Sequence, residues 1–107
     1  MDIGTASIDG IELLQVKGEI DHFTASEFDE ALSDRLGASN STLVLDLSEC
    51  SFIDSGGLNV LLLAVMKRRG EGWLGVLGAN PRLVRLFDTV GLTQTPSFRL
   101  LDDLAGL

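Results

Sequence analysis

Between Thr42 and Leu47 the chain reads Thr-Leu-Val-Leu-Asp-Leu, and this short run limits the fold more than any other stretch. Its apolar residues do not alternate with polar ones, as they would in a strand with one wet face. The run therefore suits a strand buried on both faces of a parallel sheet. A helix follows it: Leu58, Leu61, Leu62 and Val65 recur at helical spacing, and Lys67, Arg68 and Arg69 precede Gly70, a closing signature. Between strand and helix lies Asp54-Ser55-Gly56-Gly57-Leu58, which places the hydroxyl of Ser55 at or beside the helix N-terminus.

The rest of the chain repeats this alternation. Ile3 to Ile8 and Ile11 to Val16 read as two strands joined through Asp9-Gly10, a pair that accepts positive φ, so the chain opens on a hairpin. Thr24-Ala25-Ser26-Glu27 matches a capping box, and Phe28, Leu32 and Leu36 form an apolar stripe running to Gly37. Ala38 to Ser41 is small and polar, a loop. Trp73 to Leu77 reads as another strand, with Trp73 in the core or half-buried. Asn80-Pro81 is a cap followed by the residue best tolerated in a first turn. Leu83, Val84, Phe87 and Val90 supply the buried face of that helix, and Gly91 ends it. Phe98 to Leu100 is a last strand, with Asp102 to Leu107 a final helical turn or two. The predicted fold is thus α/β, a mixed and mostly parallel sheet of about five strands with an antiparallel N-terminal hairpin and about four helices.

Length and charge narrow the function. With 107 residues, 45% of them apolar, residues 1–107 form one domain with one core. No tract of eighteen apolar residues occurs and the N-terminus lacks a signal-peptide pattern, so a soluble, cytoplasmic protein without a membrane partner is expected. Eight basic residues against sixteen acidic ones give a net charge of -8, which argues against nucleic acid. A single cysteine, Cys50, leaves no internal disulfide and no cysteine-based metal site; it reads as a small buried hydrophobe. Neither a metal nor a cofactor is expected.

Three chemistries compete at Ser55. A nucleophilic serine needs a histidine base oriented by a carboxylate, and the single histidine, His22 beside Asp21, would have to provide it. Ile53 stands where a hydrolase nucleophile elbow requires glycine, and no phosphate loop ending in lysine and Ser/Thr is present, so hydrolase and nucleotide-hydrolase chemistry fall away. Anion binding by bare backbone N–H groups at Gly56 and Gly57 competes with the simpler reading that both glycines only make a tight strand-to-helix turn. The third chemistry is phosphorylation of Ser55 itself.

Gly18-Glu19-Ile20-Asp21, Leu45-Asp46-Leu47-Ser48, Phe52 to Leu58, and then Pro81, Val84, Leu86-Phe87 and Gly91-Leu92 together resemble the STAS domain of anti-sigma factor antagonists. The resemblance spans nearly the whole chain, in order. It implies a switch and not an enzyme. Unphosphorylated, such a protein binds an anti-sigma factor that is itself a serine kinase and thereby frees a sigma factor. Phosphorylation at the position of Ser55 ends that binding until a PP2C-type phosphatase resets it. The resemblance favours partner contact by Asp21, His22, Asp54, Ser55, Gly56, Gly57, Leu58 and Asn59, in a monomer or weak homodimer. The chain departs from the family at Gly56, where serine or threonine is usual, which keeps a second reading open: a non-switching STAS scaffold or accessory protein of a signalling assembly or a transport system.

Each of these residues also has a plainer role. Asp54 suits a helix cap, Asp21 a turn or cap, and His22 and Asn59 solvent. Val60, Leu63 and Met66 fall outside the buried stripe of their helix, whose nearly all-round apolarity suggests burial between the sheet and neighbouring helices or one side lent to a partner. A phosphate on Ser55 adds about -1.5 to -2 charges, which the fold tolerates at a helix N-terminus but an interface does not.

Overall fold

A computed structural model describes residues 1–38, 42–67 and 72–104, with side chains excepted at 36–38. The hairpin forms as expected. Strands β1 (Asp2–Ile8) and β2 (Ile11–Ile20) pair antiparallel from Ile8 opposite Ile11, and the turn between them holds Asp9 at φ 52° and Gly10 at φ 82°. Helix α1 (Ala25–Ala38) follows, then β3 (Thr42–Asp46), β4 (Cys50–Ile53), α2 (Ser55–Lys67), β5 (Trp73–Leu77), α3 (Pro81–Thr89), a 3₁₀ turn at Leu92–Gln94, and β6 (Phe98–Leu101). Ala38, expected to open a polar loop, is instead the last residue of α1; the rest of that loop and the basic helix end at 68–70 lie outside the described residues.

The sheet runs β1-β2-β3-β5-β6, antiparallel only at β1·β2, with β4 beside β2 off that path. Ten-residue β2 therefore serves two parallel partners in succession. Glu12 to Gln15 pair with Leu43 to Asp46 of β3, and beyond Gly18 the same strand pairs with Cys50 to Ile53 of β4. The changeover needs a kink. Gly18 sits at φ 98° beside an irregularity in the register, and its N–H reaches the Glu49 carbonyl at 2.9 Å. Six strands replace the five expected because β4 starts only four residues beyond the end of β3 and carries no alternation for a sequence pattern to detect. Among the described residues three α-helices replace the four expected. Residues 102–104 are not helical, and the remainder of that expected turn lies outside the described residues.

Residues 43–47 are all buried, as a strand covered on both faces should be. Leu43, Leu45 and Leu47 join the main core with Phe28 and Leu32 of α1, Leu61 and Val65 of α2, and Leu83 and Phe87 of α3. On the opposite face Val44 lies beside Gly75 of β5, and the ring of half-buried Trp73 crosses Gly75 so closely that a Cβ there would come within 2.6 Å of it. The Arg99 guanidinium stacks 4.5 Å from the centre of that ring. The Leu101 side chain lies over Gly75 beside the Trp73 ring, 2.8 Å from where a Cβ would stand. Cys50 is buried, and burial raises its thiol pKa.

Two helical details differ from expectation. In α2 the buried set is Gly57, Leu58, Leu61, Ala64 and Val65, whereas Leu62 and Val60 are half-buried and Leu63 and Met66 are exposed. Burial of the whole helix is therefore overturned. The helices lie on the face of Leu43 and Leu45, and among the described residues nothing covers Leu63 and Met66 on the outer side of α2. In α3 Leu83 and Phe87 are buried, but Val84 is half-buried and Val90, at the C-cap, is exposed. Gly91 follows with φ 83°, the left-handed geometry that ends the helix.

Asn80 caps α3 as predicted, its Oδ1 accepting the Leu83 N–H at 2.9 Å, and its amide also donates to the Cys50 carbonyl of β4 at 3.4 Å. Asn80→Ala should lower stability by about 1–2 kcal/mol, and Asn80→Asp, which keeps the cap acceptor, by less than half as much. Urea unfolding at unchanged m-value reads both.

Candidate functional site

The site is built where β2 and β4 end together. Ile20 and Ile53 are register partners, so the residues after each strand emerge side by side: Asp21 to Thr24 from β2, Asp54 to Gly57 from β4. The Asp54 N–H continues the ladder to the Ile20 carbonyl at 3.0 Å. Its carbonyl then accepts the Leu58 N–H at 2.9 Å, the first bond of α2, which makes Asp54 the cap and Ser55 the first helical residue.

The Asp54 carboxylate joins the two segments. Oδ1 accepts the N–H groups of Gly56 (2.9 Å) and Gly57 (3.1 Å), and Oδ2 accepts the N–H of His22 at 2.9 Å. The Gly57 N–H, with those of His22 and Gly56, holds the carboxyl pKa below its ordinary value of 3.8, against partial desolvation that pushes the other way. The helix cap weighed for Asp54 is therefore formed. An external anion at Gly56 and Gly57 meets donors already taken, so the backbone anion site is not open in this conformation.

The glycines have separate reasons to be there, and neither is a positive φ. A Cβ on Gly57 would come within 2.5 Å of Ile20 Cγ2 and 3.1 Å of Ile53 Cγ2, so this residue lets the helix start press onto the paired strand ends. At Gly56 a Cβ would lie 3.2 Å from Asp54 Oδ1 and 3.3 Å from the Cα of His22. The loop from β2 therefore packs directly over the backbone of Gly56. The reading of both glycines as turn-makers gives way to close approach.

Asp21 organises its own loop. Its Oδ1 accepts from the N–H of Phe23 (2.9 Å), the N–H of Thr24 (3.1 Å) and the Thr24 hydroxyl (3.2 Å), while its own N–H donates to Thr24 Oγ1 at 2.9 Å. The turn role considered for Asp21 is thus present. The expected capping box is replaced by this arrangement: the Thr24 hydroxyl turns back to Asp21, and the Thr24 carbonyl starts α1 by accepting the Phe28 N–H at 3.0 Å.

Of the eight residues singled out in the sequence, Asp21, His22, Asp54, Ser55 and Gly56 come together at the surface, with Ser55 and His22 exposed. Asn59 is exposed one turn further along α2. Gly57 and Leu58 lie beneath them, Leu58 being only 8% exposed within the core. Phe23 was not anticipated. It stands 86% exposed with its ring centre 4.5 Å from that of His22; the available signal was an aromatic residue set between Asp21-His22 and Thr24, outside any apolar stripe. Among the described residues no cluster of acidic, histidine or cysteine side chains suits a metal ion, and no helix is long and apolar enough to cross a membrane.

A carboxyl whose pKa is depressed on folding stabilises the fold above its unfolded pKa and loses that contribution as pH falls through the folded value. The stability carried by Asp54 is therefore lost below about pH 4. Asp54→Asn should be less stable than the unsubstituted chain near neutrality and should lose less stability between pH 5 and pH 3, by about a carboxylate's share. Urea midpoints measured across that pH range check this.

Comparison with known proteins gives a consistent picture. The family model described as Mlab, STAS domain matches residues 5–102. The anti-sigma-B factor antagonist of Listeria monocytogenes is 36% identical over 95 residues, covering 88% of this chain and 82% of that protein. The anti-sigma-F factor antagonist RsfB of Mycobacterium tuberculosis is 31% identical over 102 residues, covering 95% and 82%. A crystal structure of an anti-sigma factor antagonist from Mycobacterium paratuberculosis superposes with a TM-score of 0.85 at 31% identity, covering 98% of this chain and 88% of that one. With the sheet order, the paired strand ends and the serine at the start of α2 already in place, the chain belongs to the STAS domain family.

Proposed function

We propose that this chain is an anti-sigma factor antagonist whose binding to an anti-sigma factor serine kinase releases a sigma factor and is switched off by phosphorylation of Ser55. The observation that carries the proposal is the placement of Ser55: an exposed hydroxyl at the first position of α2, on a surface whose neighbouring backbone donors are already bound to Asp54. Relatives of this length that bear the antagonist name support it.

The chain is the substrate in this reading and supplies no catalyst. Ser55 Oγ attacks the γ-phosphorus of ATP held by the partner, an O–P bond forms, the bond to the β-phosphate oxygen breaks and ADP leaves. The hydroxyl proton passes to a base on the partner. A PP2C-type phosphatase reverses the change by hydrolysis, and the cycle runs in the cytoplasm, where ATP and the transcription machinery are.

The electrostatics explain why the switch acts on binding. A phosphate on Ser55 brings about -1.5 to -2 charges to the helix N-terminus, which favours it, and next to the Asp54 carboxylate, which opposes it. The two influences offset within the fold. Across an interface nothing offsets them, because like charges brought together in a desolvated contact cost several kcal/mol.

Incubation with ATP and each purified anti-sigma factor kinase of the host cell should add a single phosphate by intact mass, absent in Ser55→Ala. No added mass with any of them, or mass that persists in Ser55→Ala, would sink the proposal. Ser55→Glu should weaken kinase binding at least about tenfold, corresponding to 1.4 kcal/mol, while moving Tm by no more than a few degrees. Calorimetric titration and thermal melts measure the two effects separately.

A further inference from the structure

Phe23 is the most exposed large apolar side chain among the described residues. Isolated apolar residues at a surface are ordinary. What sets this one apart is how firmly its backbone is held and where. Its N–H is bound to Asp21 Oδ1 at 2.9 Å, and the preceding N–H, of His22, is bound to Asp54 Oδ2 at 2.9 Å. The Cα of His22 rests on Gly56, and the His22 ring lies against the phenyl ring. The loop that carries Phe23 is thus fixed to the cap of the helix that begins with Ser55.

Fixing matters energetically. An aromatic side chain with two rotatable bonds on an immobilised backbone gives up little freedom on docking, and such residues dominate binding energy when they enter a pocket. Charge selects the occupant. The carboxylates of Asp21 and Asp54 are bound to the backbone of Phe23 and of its neighbour His22, and the chain as a whole has a net charge of -8. Two copies meeting through this loop would set these carboxylates against each other.

We infer that Phe23 is the apolar anchor of the contact with the anti-sigma factor, filling a pocket on that protein whose rim is cationic. The inference rests on the function proposed above and adds to it the residue that carries most of the affinity. The acceptor serine and the anchor are then presented as one unit, with Asp54 holding both.

The test titrates each purified anti-sigma factor of the host cell, without ATP, against the unsubstituted chain, Phe23→Ala, Phe23→Leu and Ile8→Ala. Ile8 is 44% exposed at the hairpin turn that opens β2, whereas Phe23 follows the other end of that strand. Phe23→Ala should weaken the complex about 30-fold or more, Phe23→Leu roughly fivefold or less, and Ile8→Ala not at all. Thermal melts of Phe23→Ala should match the unsubstituted chain, since the side chain is outside the core. Binding of Phe23→Ala within about threefold of the unsubstituted chain overturns the anchor and leaves the proposed function standing. No binding by the unsubstituted chain overturns both. Self-association in sedimentation that Phe23→Ala abolishes overturns the inference in favour of a second copy.

Discussion

The Asp54 carboxylate accepts N–H groups from its own helix start and from His22, 32 residues away, and the shape of the candidate site depends on it. One oxygen closes the first turn of α2 and the other holds the loop leaving β2. A neutral acceptor could satisfy one side. A carboxylate satisfies both because its two oxygens point apart and its charge strengthens every bond it accepts. Remove that charge and the helix start and the neighbouring loop lose their common tie at once.

For the tie to form, β2 must reach β4, and it does so only by bending. Without the kink at Gly18, β2 would keep running beside β3, and Ile20 would not stand opposite Ile53. Gly57 completes the approach from the helix side, since a methyl group there would collide with Ile20. Gly56 does the same for the loop by leaving room for the His22 backbone. The two glycines that read in sequence as a tight strand-to-helix turn are contact points where backbone packs on backbone or on a branched side chain.

How far the fold was legible follows from the kinds of signal involved. The hairpin turn at Asp9-Gly10, the buried run of β3, the cap at Asn80 and the helix end at Gly91 each rest on local chemistry, and each stands where the pattern put it. β4 was not legible because its existence depends on a kink in a distant strand. The exposure of Leu63 and Met66 was not legible either, because apolarity on every side of a helix does not say which side the sheet covers. At the site, the position of Ser55 could be read directly. The turn role of Asp21 and the core place of Leu58 also stood in the sequence, but Asp54 as a bridge to the loop of β2 and Phe23 as its exposed member could not be read, because contacts between segments decide them.

These contacts also bear on how the proposed switch would act on a rigid surface. Asp21 and Asp54 bind backbone donors close to Ser55, so the groups that position the surface are already occupied. A phosphate on Ser55 would find few idle donors in its own chain to neutralise it. Its charge would remain directed outward, next to a carboxylate that the fold already keeps ionised. In a protein with a net charge of -8 whose helix-start donors are bound to a cap, the proposed phosphorylation would read out at an interface and leave the core undisturbed.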